Sequence, residues 1–378
     1  MNVLQLTKKL IKIPSFVDKK NNEKELGEFI CNYLEKFSYL QVEKQKIEGD
    51  RFNIIAKDSY PPKLLFACHM DTVEPKIGWA SDQLSGIVKN NRLYGLGSCD
   101  MKGGTACTLD ALQEFNDTRG LMLLFYCDEE YDFKGMRKFL RKYSFEPELA
   151  VFPESTEQKI INGCRGVIEI YFQVSGKTGH AARPQEGRSA IDGAVEAINS
   201  LRWEIRRYEN SSLGKPTLNL AYLSGGLMKG VDGNSKIILG DRGNNISDVA
   251  EVVLDIRTTS SKLNGKKVVD FLEKNIKKNG LQLKKTLIRS DFGPMYVPKT
   301  KIKSFEDAIK EQLGRVDYGD ITKQGYFDGE MMYKKLGIPC VYFGPKGGNA
   351  HGANEWVDIR SLKEVREVYK DLIRRVCL

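Results

Sequence analysis

Histidine is nearly absent from this chain: His69, His180 and His351 are the only three among 378 residues, and that scarcity makes each one informative. The eight cysteines, at 31, 68, 99, 107, 127, 164, 340 and 377, are never closer than eight residues. That spacing excludes a CxxC zinc or redox motif, and most of them sit inside apolar runs, as reduced core cysteines do. No apolar stretch approaches the ~18–20 residues of a membrane-spanning helix. The amino-terminal MNVLQLTKKLIKIPSF has neither the apolar core nor the cleavage site of a secretory signal. A soluble, cytoplasmic protein with no membrane partner is the expectation. There is also no long basic block: the net charge of +9, from 59 Lys and Arg against 50 Asp and Glu, comes from scattered lysines. Without a basic face and interleaved aromatics, nucleic acid is not an expected partner. A mild surplus of this kind instead steers anionic small molecules. No internal repeat or low-complexity linker is visible.

What is present suits two domains. Hydrophobic residues make up 41% of the chain, enough for a sizeable core. VLQLTKKLI (3–11) and KELGEFICNYLEKFSY (24–39) read as amphipathic helices. LLFAC (64–68), LMLLFYC (121–127), LAVF (149–152) and CVYFG (340–344) read as strands apolar on both faces, as in a parallel sheet covered by helices. Helical patterns at 101–115 and 135–143 intervene, which implies right-handed crossovers. Between 166 and 288 the pattern changes to strand (166–176), helix (189–209), two strands (217–226 and 251–259), helix (266–280) and strand (281–288). This is the β-α-β-β-α-β order of a ferredoxin-like unit. The expected fold is α/β: a mostly parallel sheet sandwiched by helices, formed discontinuously by residues 1–165 and 289–378, with an α+β domain inserted at 166–288.

Each of the four apolar strands leads into residues that bind metal or move protons. LLFAC precedes His69 and Asp71; LMLLFYC precedes Asp128, Glu129 and Glu130; LAVF precedes Glu154; VYFG precedes, after a glycine-rich loop, His351. Open α/β sheets bind ligands at the carboxyl edges of their strands. A fifth acid, Asp100, follows the turn GLGSC. Taken singly, Asp100 reads as a helix N-cap, Glu129 and Glu130 as a solvated acidic loop, and either histidine as a satisfied core residue. Jointly, two histidines and three carboxylates exceed what one tetrahedral zinc takes. They suit two ions roughly 3.5–4 Å apart that share a carboxylate.

HMDTV (69–73), LYGLGSCDMKGG (93–104), DEE (128–130), PES (153–155), GKTGHAARPQEGRSAI (176–191) and AHGANEW (350–356) occur in the order seen in the M20 family of co-catalytic zinc amidohydrolases, which the chain resembles over nearly its whole length. LYGLGSCDMKG, PTLNL (216–220) and LDIR (254–257) look most like the acetylornithine deacetylase branch. The resemblance implies two Zn²⁺ per subunit, with Co²⁺ able to substitute. It implies His69 and Glu154 on one ion, Glu130 and His351 on the other, Asp100 between them, Glu129 as general base and Asp71 orienting His69. It further implies a homodimer formed through the inserted lid domain, in which His180 stabilises the oxyanion. Arg257 would read a substrate carboxylate and Asn245 would make a polar contact. Asn245 lies in GNNISD, where this chain has serine in place of the usual proline. The implied substrate is an N-acyl amino acid, N-acetylornithine first, with N-succinyl-diaminopimelate or a short peptide as alternatives. A non-catalytic binding protein on the same fold would be expected to lose the base or a ligand, and all are present. Cys99, beside Asp100, is expected to be a packed core residue that leaves the protein sensitive to thiol reagents.

Overall fold

Uninterrupted apolar strands persist only where helices cover both of their faces. In the computed structural model, which describes residues 1–234 and 236–378, Leu64–His69, Leu121–Tyr126, Leu149–Phe152 and Cys340–Tyr342 are buried along their full length. They form the parallel part of a six-stranded sheet whose order is 41–48, 51–57, 121–126, 64–69, 149–152, 340–342. The register aligns their carboxyl ends: His69 stands opposite Tyr126, and Tyr342 opposite Phe152. The chain crosses from the 64–69 strand to its neighbour on one side and then to its neighbour on the other. Right-handed crossovers therefore carry the helices Lys102–Ala111 and Lys134–Lys142 to opposite faces. Val3–Ile11, Lys102–Ala111 and Ile359–Cys377 pack together on the first face; Lys134–Lys142 and Gly329–Leu336 pack together on the second.

Two strands absent from the sequence reading, Gln41–Glu48 and Arg51–Lys57, extend this sheet in antiparallel fashion. QVEKQKIE is polar because it is the outermost strand, mostly solvent-facing, and charged side chains protect such an edge from further pairing. The helix expected over 24–39 ends at Leu34, after which tight turns close at Phe37 and Leu40. Lys102–Ala111 is buried at every position. Its small residues permit that depth: a Cβ on Gly104 would lie 1.7 Å from the Pro153 carbonyl oxygen. The helix thus presses against the backbone that carries Glu154.

The second unit is a five-stranded antiparallel sheet in the order 237–240, 217–231, 249–258, 166–175, 282–292. Gly166–Ser175 alternates buried and half-buried positions along its length, the period-two signature of a sheet with one covered face. Ile168, Ile170, Phe172 and Val174, with Val252, Leu254 and Ile256 on the next strand, pack on Ala190–Glu204 and Gly265–Lys278. Each fully buried side chain of this size contributes about 1.5–3 kcal/mol. Ser189 and Asn264 cap the two helices, accepting from the backbone N–H of Asp192 and Lys267.

The first unit comprises Met1–Asn162, Val297–Asp320 and Asp328–Leu378; the second comprises Gly163–Tyr296 and Ile321–Phe327. The boundary expected at 288 falls inside the 282–292 strand, whose pairing with 166–175 runs on to Phe292. Among the described residues, no helix is long and apolar enough to cross a membrane.

Candidate metal centre

The aligned strand ends bring five of the expected residues into one cluster. His69, the last residue of its strand, is buried, and its Nε2 lies 3.0 Å from Asp100 Oδ1 and 3.4 Å from Glu154 Oε1. On the other side of the same carboxylate, His351 Nε2 lies 3.2 Å from Asp100 Oδ2 and 3.0 Å from Glu130 Oε2. Asp100 therefore turns one oxygen to each histidine. It is not an N-cap: the following helix is capped at Met101 with no side-chain bond. The peptide bond between Asp100 and Met101 is cis. Glu129 and Glu130 are not a solvated loop either, since the Glu130 side chain is only 5% exposed.

Donor atoms fall into three groups whose members lie within 4.8 Å of one another: His69, Asp100 and Glu154; Asp100, Glu130 and His351; and His69, Glu129 and Glu130. The first two share Asp100, as a pair of ions with a bridging carboxylate requires. The third admits Glu129 to the donor set as well. Nitrogen and carboxylate donors of this kind suit zinc and its divalent neighbours.

The electrostatics point the same way. Burial, together with the neighbouring Asp100 carboxylate, pushes Glu154 up to about 7 against the pull of His69. Burial and then the Asp328 carboxylate raise Glu129 well above the usual carboxylate range. Burial alone would lower the His69 imidazole, but Glu154, Asp100 and Glu129 outweigh it and hold it raised. Hydrogen bonds donated to Asp100 and Glu130 lift His351 to about 10. Burial works to raise Asp100, yet the two histidines hold it far below its ordinary value. Four carboxylates and two imidazoles thus crowd one space with an excess of negative charge, which a pair of divalent cations would neutralise.

The backbone around the cluster is held from outside. His69 Nδ1 lies 3.0 Å from the Asp71 carbonyl oxygen and 3.7 Å from Asp71 Oδ1, so the ring is oriented chiefly by the main chain of Asp71. Asp71 Oδ2 accepts the Glu130 N–H at 2.9 Å, which ties the histidine strand to the acidic turn. That turn is anchored by Asp128, in the left-handed region at φ 71°. Its Oδ1 receives Arg51 at 2.7 Å, and Arg51 also forks onto Glu23 at 2.6 and 2.7 Å. His351 itself has φ 60°, an uncommon conformation for a residue with a Cβ. Asn354 pins that loop, accepting the Ala80 N–H and donating to the Gly78 carbonyl. Cys99 is buried with its thiol pushed up by burial, and its Sγ lies 3.8 Å from the Gly348 carbonyl oxygen.

The remaining expected residues belong to the second unit. His180 and Asn245 are exposed and face each other across an isolated antiparallel bridge. Arg257 places its fork on Asp255, at 2.8 and 2.9 Å. Sequence reading missed the Glu23–Arg51–Asp128 clamp and the buried acids Asp328 and Glu355. Asp128 and Glu355 carried a signal, as acids without an assigned task inside DEE and AHGANEW.

The chain is similar to known proteins over nearly its whole length. A 27% identity links the chain to acetylornithine deacetylase of Buchnera aphidicola subsp. Schizaphis graminum, covering 99% of this chain and 98% of the relative. Aminopeptidase PepT of Bacillus cereus has a similar fold (TM-score 0.77, 18% identity, 99% of this chain and 98% of that one). So does the Bacillus subtilis YXEP protein, described as a dinuclear metal-binding peptidase of the M20 family (TM-score 0.69, 15% identity, 98% and 96% covered). The sequence profile of peptidase family M20/M25/M40 matches residues 65–375. The chain belongs to that family of hydrolases.

Proposed function

We propose that this protein hydrolyses the amide of an N-acyl amino acid at a dinuclear zinc site, with N-acetylornithine as the first substrate. The observation that carries the reading is the posture of Asp100, whose two oxygens lie 3.0 and 3.2 Å from the two histidines. His69 and Glu154 would hold one ion, Glu130 and His351 the other, and Asp100 would bridge. When bound, such ions polarise a carbonyl and acidify water. The protein's own groups do the rest. Glu129, the carboxylate left over once the two ions have their ligands and one whose proton affinity burial raises, removes the proton from the attacking water and delivers it to the departing nitrogen. Asp71 keeps the His69 ring and the Glu130 backbone in place. His180, in a homodimer, donates to the developing oxyanion, a contact of a kind worth about 3–4 kcal/mol. Arg257 exchanges Asp255 for the substrate carboxylate, and Asn245 adds a polar contact. The +9 net charge favours a substrate that carries a carboxylate, and the reading places the enzyme in the cytoplasm.

Relatives that bear the acetylornithine deacetylase name support this choice at 27–28% identity. N-succinyl-diaminopimelate or a short peptide is the second reading, the peptide because the fold is shared with aminopeptidase PepT. A panel of N-acetyl, N-succinyl and dipeptide substrates, assayed with zinc and with chelator, separates them. The proposal expects the highest kcat/KM on N-acetylornithine and no turnover in chelator; equal turnover in both conditions would refute it.

A further inference from the structure

Glu355 is buried to 1% exposure four residues beyond His351, and among the described residues no side-chain cation forms an ion pair with it. Lys102, which feels the Glu355 carboxylate through space, donates to the Ile13 carbonyl at 2.8 Å. The Glu355 carboxylate is taken up chiefly by main chain, with the Cys99 thiol beside it. Oε2 accepts the Gly97 N–H at 2.7 Å, while Oε1 accepts those of Cys99 at 2.8 Å and Asp100 at 3.0 Å. The Glu355 carbonyl oxygen accepts the Gly95 N–H at 3.0 Å. A small antiparallel sheet creates this meeting by pairing Trp356–Asp358 with Arg92–Tyr94, so that the residue before one strand meets the turn after the other.

Burying a carboxylate is costly unless its lone pairs are fully used. Here they are used to fix the direction of the main chain at Asp100, whose two oxygens reach the two histidines. A neutral acceptor such as serine lacks the two oxygens and the charge that hold three N–H groups at once. The same short segment also carries His351, so Glu355 couples the bridging acid to a ligand of the second ion.

We propose that Glu355 is a positioning residue for the bridging carboxylate: by clamping the 97–100 turn it sets the orientation of Asp100 that lets two ions bind as a bridged pair. This rests on the two-metal reading of the site. Glu355→Gln keeps the size of the side chain but turns an NH₂ group toward an N–H donor, and Glu355→Asp keeps the charge but withdraws it by one methylene. Each apo-protein, checked for folding by circular dichroism and thermal melting, is titrated with Mn²⁺ alone and followed by calorimetry and electron paramagnetic resonance. The wild type is expected to take two ions with an exchange-coupled spectrum. Each folded variant should bind the second ion about 10–100-fold more weakly and lose the coupled spectrum, with kcat falling more than KM changes. If Glu355→Gln does not fold, Glu355→Asp carries the test. Wild-type affinity and a coupled spectrum in a folded variant would overturn the proposal. A wild type that takes fewer than two ions would overturn the two-metal reading itself.

Discussion

A carboxylate crowded by other carboxylates must either hold its proton or find a cation, and the residues at the strand ends show both tendencies. Glu154 and Glu129 are raised while Asp100, between two imidazoles, is lowered. The division of labour between the adjacent Glu129 and Glu130 is the finest distinction at this scale, because both lie within 4.8 Å of a His69 donor atom. Glu129→Gln is expected to lower kcat by about 10²–10⁴-fold while the metal content stays at the wild-type value. Parallel measurement of both quantities checks it, since loss of metal would make Glu129 a ligand instead. Asp100→Asn removes charge from the shared acid and should reduce bound metal below two ions per chain, read by elemental analysis after dialysis.

Elements explain how residues so distant in sequence converge, and how far that could be read in advance. LLFAC, LMLLFYC, LAVF and CVYFG announced the parallel strands because burial on both faces leaves an uninterrupted apolar record. The meeting of His69, Glu130, Glu154 and His351 was readable from the position of each beyond such a run, whereas Asp100 follows the turn GLGSC. The two antiparallel strands over 41–57 left no comparable record: QVEKQKIE packs little and alternates weakly. The clamp among Glu23, Arg51 and Asp128 was illegible because it joins single charges from three elements through tertiary geometry alone. Its side chains are between 1% and 7% exposed. Arg51→Met would strand two buried carboxylates and is expected to cost about 3–5 kcal/mol, measured as the fall in urea unfolding free energy; a loss under about 1 kcal/mol would show the clamp to be dispensable. Gly104→Ala drives a methyl group into the Pro153 carbonyl and should cost about 1–3 kcal/mol, with a lowered Tm.

For the whole molecule, the scarcity of histidine and the dispersal of cysteine carry different meanings. All eight cysteines are buried thiols outside any disulfide; burial pushes Cys31 up to about 11 and Cys68 and Cys377 up to about 12. The native protein should therefore give almost no reaction with a thiol reagent at pH 8 and the full titre after denaturation. That outcome departs from the sensitivity expected from Cys99 on sequence alone. Two of the three histidines meet in the first unit around one acid; the third, His180, belongs to the second unit, beside Asn245. The account as a whole depends on that meeting. Apo-protein dialysed against Zn²⁺ and analysed for bound metal should hold two ions per chain and lose them together with activity in chelator. Protein that remains metal-free after the same dialysis would contradict it.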